Sequence, residues 1–325
     1  MPDRPILTLA HSPDADDMAM GWPLTGMLGP DGARAPGVDG APAIETGRVQ
    51  FSPVAADVED LNRRAIHAAE DGAALGPGAL DITAISAAAY PAVAHAYAIT
   101  AAGASFGEGY GPKVVTRPDS TVRCEGCLRG QKPSVAIPGR RTTAFMVLSI
   151  LLEGARDGID FIEMPFAAIP GAVARCEAGC GLLIHEAQLM IERENLREVV
   201  DLGAWWQRQT QQPLPLGLNV LRRDLDARFG AGAAQEVAAT LARSVQYARA
   251  HPEATRRFLM MRAIDRPEWT DAGLLSRYLD MYMSAMTADM GAAGAAALGE
   301  LYRRADAAGL IPAIPTLDIQ GTATD

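Results

Sequence analysis

The apolar run Gly181-Leu182-Leu183-Ile184 ends in His185-Glu186. A run of that length and composition reads as a buried strand. In a parallel α/β sheet the carboxyl end of a strand is where ligands bind. An imidazole titrates near neutrality, so His185 in that place has the chemistry of a general base. A strand-end histidine that only packs is the competing reading. Glu186 could orient the imidazole, although side chains alternate along a strand and alternation can point it elsewhere. Thr142-Thr143 stand just ahead of a helix start, where hydroxyls and free backbone N–H groups can hold a carboxylate or phosphate. An ordinary N-cap explains them as well. Ser86 closes another short apolar strand in the same manner.

The cysteines form a second constellation. Cys124-Glu125-Gly126-Cys127 has metal-ligand spacing, and Cys176 and Cys180 make another close pair. A structural zinc held by Cys124, Cys127, Cys176 and Cys180, a redox or disulfide pairing, and unconnected thiols all stay open. Each pair precedes a strand, at 134–137 and 181–184. If those strands are parallel neighbours, the thiols lie at their amino-terminal edge, away from a ligand.

An alternation of strands and helices has to position these groups. Residues 6–10 read as a first strand, 18–28 as a helix that Asp14, Asp16 or Asp17 can cap, and 47–54 as a second strand after a Gly/Pro/Ala-rich connection at 29–46. Asp57 then caps a helix over 58–70, followed by a buried strand at 81–86 and an alanine-rich helix over 87–95. The glycine-dense segment 103–112 fits a hinge loop. Further strands fall at 112–115, 134–137, 161–164, 181–184 and 213–221, with helices at 144–153 and 170–178. After Asp224 the pattern is helical, over 232–250, 252–261, 271–286 and 292–308, and the tail beyond Pro315 reads as loose. A segment 113–221 thus enters and leaves as an inserted lobe, with 1–112 and 222–325 forming the other. The expectation is a two-lobed α/β fold with a ligand cleft between lobes.

Composition limits the function classes. With 325 residues, 49% of them hydrophobic, the chain can bury the core of such a fold. A net charge of −10 and the lack of any Lys/Arg-rich run argue against a nucleic-acid surface. No run approaches the roughly 18 apolar residues of a membrane span, and the first ten residues read as a strand rather than a signal peptide. A cytoplasmic location is expected. Trp205-Trp206 read as loop or lid packing, Met281, Met283, Met286 and Met290 as core or helix interface, and His11 as a locally hydrogen-bonded residue.

Taken in order, these segments resemble the menaquinone-biosynthesis proteins of the futalosine pathway, most closely the 1,4-dihydroxy-6-naphthoate synthase branch. The resemblance runs from the first strand to about Asp224. It rests on Ser12-Pro13-Asp14-Ala15-Asp16-Asp17, residues 81–86, Gly109-Tyr110-Gly111-Pro112, Pro138-Gly139-Arg140-Arg141-Thr142-Thr143-Ala144, residues 181–186 and Leu214-Pro215-Leu216-Gly217. It implies the periplasmic-binding-protein type II fold, with two lobes, a cleft and a helical carboxyl-terminal region. It also implies a carbon–carbon lyase that converts cyclic dehypoxanthine futalosine to 1,4-dihydroxy-6-naphthoate, with His185 as general base and an aromatic carboxylate as substrate. Ala84, Ile85, Ser86, Thr142 and Thr143 are the implied substrate contacts, and Ser12 and Asp17 of the opening loop are further candidates. No cofactor is implied for catalysis, and a homodimer is left open.

Two departures bear on the substrate. The family's opening loop usually reads Ser-Pro-Cys-Pro-Asn-Asp, and its Arg-Phe-Thr after His-Glu is here Gln188-Leu189-Met190. Added negative charge at the ligand disfavours an anion. The alternative is therefore a paralogous cytoplasmic binding protein or enzyme for another small aromatic or carboxylate ligand, chorismate dehydratase-like chemistry included.

Overall fold

The computed structural model describes residues 4–27, 41–70, 75, 78–263 and 266–321; the connection expected at 29–46 falls largely outside them. Strand β1 (Ile6–His11) leads into α1 (Ala15–Thr25). The helix starts at Ala15 rather than at residue 18, because Asp14 is its N-cap: Asp14 Oδ1 accepts the Asp17 N–H at 3.1 Å. Acidic residues are also favoured in a first turn by the helix dipole, and Asp16 and Asp17 occupy it. Strand β2 (Gln50–Ala55) pairs parallel with β1, and α2 (Val58–Glu70) follows Asp57, whose Oδ1 accepts the Glu59 N–H. Strand β3 (Ile82–Ser86) pairs parallel along the other side of β1. The helix expected at 87–95 shrinks to a 3₁₀ turn and α3 (Tyr90–Val93), since the chain then turns into β4 (Tyr97–Thr100) and β5 (Ser105–Gly107). Those two strands are too short to show alternation in the sequence.

The chain next builds a second sheet. Its elements are β6 (Lys113–Thr116), α4 (Glu125–Gln131), β7 (Val135–Ile137), α5 (Thr143–Leu152), β8 (Phe161–Glu163), α6 (Ile169–Ala174), β9 (Cys180–Leu183), β10 (Arg197–Asp201) and α7 (Leu202–Thr210). The strand order is β10-β6-β9-β7-β8, with β7 parallel to both β8 and β9. Strand β11 (Leu214–Arg222) pairs antiparallel with β5 from Leu214, with β3 from Gly217 and with β4 from Val220, so the chain is back in the first sheet by Leu214, ahead of the expected 221.

After β11 come α8 (Leu225–Phe229), α9 (Ala233–Ala250), α10 (Pro252–Met260), α11 (Ala272–Tyr282), α12 (Ala285–Ala288) and α13 (Gly291–Ala307). The tail is not loose throughout: β12 (Ile319–Gln320) pairs parallel with β4, placing Ile319 opposite Ile99. A strand edge has unpaired backbone groups, and β12 satisfies those of β4. The first sheet is thus ordered β12-β4-β11-β3-β1-β2, with β5 alongside β11. Among the described residues, no helix is long and apolar enough to cross a membrane.

The two crossings between sheets lie side by side, the Leu202 N–H donating to the Pro112 carbonyl at 2.8 Å. Trp205 and Trp206 are not lid residues: they lie in α7 and are buried, Trp206 completely, in the main core cluster. Met283 and Met290 are buried and Met281 and Met286 pack against the core, as the sequence suggested. The close passage of the crossings depends on Gly203, where a Cβ would sit 1.9 Å from the Tyr110 carbonyl oxygen. Gly203→Ala should therefore cost about 1–3 kcal/mol of stability, read as a lower urea midpoint; an unchanged midpoint would show that the crossings can separate freely.

Candidate active site

The carboxyl ends of parallel strands from both sheets face one pocket. From the first sheet β1 delivers Ser12, Asp14, Asp16 and Asp17, and β3 delivers Ala84, Ile85 and Ser86. From the second, the turn after β7 delivers Thr142 and Thr143, and the end of β9 delivers Ile184 and His185. Every residue expected to touch substrate lines this pocket: Ser12, Asp17, Ala84, Ile85, Ser86, Thr142, Thr143 and His185.

His185 is held on all sides. Its backbone sits at φ +52°, a left-handed conformation that costs a non-glycine residue about 1–2 kcal/mol. Its Nδ1 lies 2.8 Å from Asp14 Oδ2, with side-chain exposures of 18% for the histidine and 2% for the aspartate. The Phe166 ring meets the imidazole edge-on at 4.9 Å between centroids. Its Nε2 is buried with no hydrogen-bond partner. Glu186 does not orient the imidazole: its Oε1 accepts the Ala15 N–H at 2.8 Å and the Trp269 indole N–H at 3.0 Å. The carboxylate beside the ring is that of Asp14 instead.

The threonine hydroxyls are committed to protein groups. Thr142 is the N-cap of α5, accepting the Phe145 N–H at 3.2 Å and donating to the Gly139 carbonyl at 2.7 Å. The Thr143 hydroxyl accepts the Ala88 N–H and donates to the Leu216 carbonyl, which ties α5 to the first lobe. The anion-holding capacity expected of this turn thus lies in the N–H groups of Thr143 and Ala144, which have no acceptor within the helix, the Phe145 N–H being taken by Thr142. Ser86 is fixed by Asn62, which donates to its hydroxyl and accepts its N–H.

Burial governs the charges. It pushes His185 down, but the charge and hydrogen bond of Asp14 outweigh it and raise the imidazole pKa to about 10. Burial likewise pushes Asp14 up, and the facing imidazolium more than reverses this, holding Asp14 well below the carboxylate range. The neighbours go the other way. Burial, followed by the charge of Asp14, raises Asp17 to about 8 and lifts Asp16 well above the usual range, and the same two causes raise Glu186. Asp17 therefore holds its proton to a higher pH than an ordinary carboxyl does. The opening loop does not present the row of full negative charges that its composition suggested.

The sequence alone did not single out Asp14 as a histidine partner, nor Asp16, Gln188 and Tyr282 as pocket residues. The Tyr278 hydroxyl donates to Asp16 Oδ1 at 2.7 Å, and Gln188 Nε2 donates to the Tyr282 hydroxyl at 2.7 Å, leaving Gln188 Oε1 without a partner. The four-residue spacing of Tyr278 and Tyr282 on α11, which puts both on one helix face, was the available signal. His11 bonds locally, its Nδ1 2.8 Å from the Ser12 carbonyl oxygen.

The thiols do not converge. Cys124 and Cys127 lie together at the start of α4, Sγ to Sγ 2.8 Å, whereas Cys180 is turned into the core by β9 and Cys176 is exposed. Among the described residues, the group of three or more His, Cys, Asp or Glu ligand atoms within 4.8 Å of one another is Asp14, Asp16 and His185. Among the described residues the four thiols make no such group. Asp14 and His185 already bond each other directly, so their set is an acid–base cluster.

A family profile described as menaquinone biosynthesis matches residues 7–307. The chain belongs to this menaquinone biosynthesis family. It is 36% identical over 277 residues to the "1,4-dihydroxy-6-naphtoate synthase" of Thermus thermophilus, covering 84% of this chain and 91% of that one. The crystal structure of protein AF1704 from Archaeoglobus fulgidus superposes with a TM-score of 0.74 at 33% identity, over 94% of this chain and 98% of that one. The alkanesulfonate-binding protein SsuA of Xanthomonas axonopodis pv. citri superposes with a TM-score of 0.65 at 11% identity, over 98% and 99% of the two chains. At that identity the likeness shows the fold, which for this family member is the two-lobed periplasmic-binding-protein fold expected from the sequence.

The buried carboxyls make stability depend on pH. Asp17 has a folded pKa of about 8, above its ordinary value of 3.8, so the folded state holds a proton that the unfolded chain releases. The contribution of this group is largest below the unfolded value and is lost as pH rises to the folded one. Asp17→Asn removes the titration while keeping an oxygen for the Ser12 N–H, which Asp17 Oδ2 accepts at 2.7 Å. Its urea midpoint should gain steadily on that of the wild type from about pH 4 to 8, whereas a constant difference would mean that Asp17 is ionised in the fold.

Proposed function

We propose that this chain is a 1,4-dihydroxy-6-naphthoate synthase that cleaves cyclic dehypoxanthine futalosine, with His185 as general base. The observation that carries the reading is the partnerless Nε2 of His185, on the wall of the pocket that collects every expected substrate contact. The sequence likeness to the Thermus synthase supports the choice of substrate.

The pocket suits a bicyclic aromatic carboxylate. Val58, Ala84, Ile85, Leu216 and Leu218 supply apolar wall for the rings. The amino-terminal turn of α5 supplies N–H groups and the positive end of a dipole for the carboxylate. The raised pKa values of Asp16 and Asp17 lessen the repulsion that the acidic loop would otherwise exert on an anion. In the proposed step Nε2 takes a proton from the bound substrate, and the electron pair left behind drives loss of the sugar-derived part. A positioned base and a held carboxylate are what such a carbon–carbon cleavage needs.

His185→Ala should lower kcat by about 10²- to 10⁴-fold, with the naphthoate product quantified by mass spectrometry; it also leaves Asp14 buried without its partner, so the urea midpoint should fall and rates are compared on folded protein. Because the imidazole must first shed the proton that Asp14 stabilises, wild-type kcat/KM should rise with pH across the neutral range. Folded wild-type protein that yields no product would turn the reading to another small aromatic or carboxylate ligand on the same scaffold.

A further inference from the structure

We propose that Asp14, on the opening loop of the first lobe, is the positioning residue for His185 on the second, fixing which imidazole nitrogen faces the substrate. This deepens the reading of His185 as the base and rests on it. A base needs an available lone pair on one ring nitrogen, and a hydrogen-bonded partner on the other nitrogen decides which one is available. Asp14 Oδ2 lies 2.8 Å from Nδ1, which assigns the Nδ1 proton to that contact and leaves Nε2 as the acceptor.

Asp14 is itself immobilised. Its second oxygen accepts the Asp17 N–H in the N-cap of α1, so rotating the carboxylate away would break the cap. The imidazole is pinned by the Phe166 ring against one side, and its backbone is pinned by the next residue. Glu186 accepts the N–H of Ala15. Two consecutive residues of one lobe, Asp14 and Ala15, thus grip two consecutive residues of the other, His185 and Glu186. The pair thus draws one residue from each lobe.

Other charges face the imidazole without replacing this contact. Asp16, Asp17 and Asp57 act on it from the first lobe and Glu186 from its own turn, while the Tyr278 hydroxyl of α11 is bonded to Asp16 and Tyr282 lines the same pocket. Among the described carboxylates, Asp14 makes the direct hydrogen bond to the ring. As Nε2 accepts the substrate proton, the Nδ1 proton stays in the Asp14 contact, and the new positive charge is offset in place.

The test compares Asp14→Asn and Asp14→Ser, both of which retain a helix-capping side chain, with wild type and His185→Ala. The full-length protein is labelled with ¹⁵N-histidine. The chain has five histidines, and His185→Ala assigns the resonance of interest. In wild type, neutral His185 should carry its proton on Nδ1 and titrate well above an exposed histidine. In both variants the midpoint should fall by about one pH unit or more, and the alkaline-rising limb of kcat/KM with cyclic dehypoxanthine futalosine should move down by the same amount. At a fixed pH where wild-type His185 is neutral, kcat should drop at least about tenfold with KM little changed. Titration and rate profiles that both variants leave in place overturn the pairing. An inactive wild type whose His185 still responds to Asp14 overturns the synthase reading while supporting the pairing.

Discussion

The contact between Asp14 and His185 is a buried ion pair across two lobes, and much of the site follows from it. An isolated charge in such surroundings is strongly disfavoured, whereas a paired and hydrogen-bonded one can persist. With Asp14 ionised against the imidazolium, further negative charge nearby becomes costly, so Asp16, Asp17 and Glu186 shift toward their protonated forms. Burial comes first for each of these neighbours, and the one ionised carboxylate adds to it. The cluster resembles a shared reservoir of protons more than a row of anions.

This changes how the opening loop is understood. Counted as residues, Asp14, Asp16 and Asp17 make the mouth of the pocket acidic and unfavourable for a carboxylate substrate. Counted as charges under burial, the loop contributes much less than its composition suggests, and part of that charge is matched by the histidine. Composition reports ionisable groups, whereas the pocket responds to their protonation, and only the environment relates the two.

The scaffold explains why the site can be precise. Both sheets present the carboxyl ends of parallel strands to the same space, the arrangement in which loops and helix starts converge on a ligand. The hydroxyls of Thr142 and Thr143 and the Asn62–Ser86 pair are used to lock the pocket walls. Their role is to hold backbone donors and small side chains in position, and the strained backbone at His185 is tolerated because Glu186 anchors the turn to α1 and Trp269.

Much of this architecture was legible in the sequence. The apolar run ending at His185, the helix start at Thr142-Thr143 and the strand closing at Ser86 each carry a local signal of period, length or capping, and local backbone preferences respect such signals. The order of the motifs indicated the two-lobed fold and the family. Short elements escaped notice because four residues carry no readable period, as with β4, and because the pairing of β12 depends on an edge formed more than two hundred residues earlier. The partner of His185 escaped for the same reason on a smaller scale: Asp14 looks like a helix cap, and it is one, but its second oxygen reaches a residue from the other lobe. Spacing along a chain determines which side chains share a strand or a helix face. Which charges meet across the cleft, and so which of them keep their protons, was decided by the tertiary structure alone, because burial and distance in space set those energies.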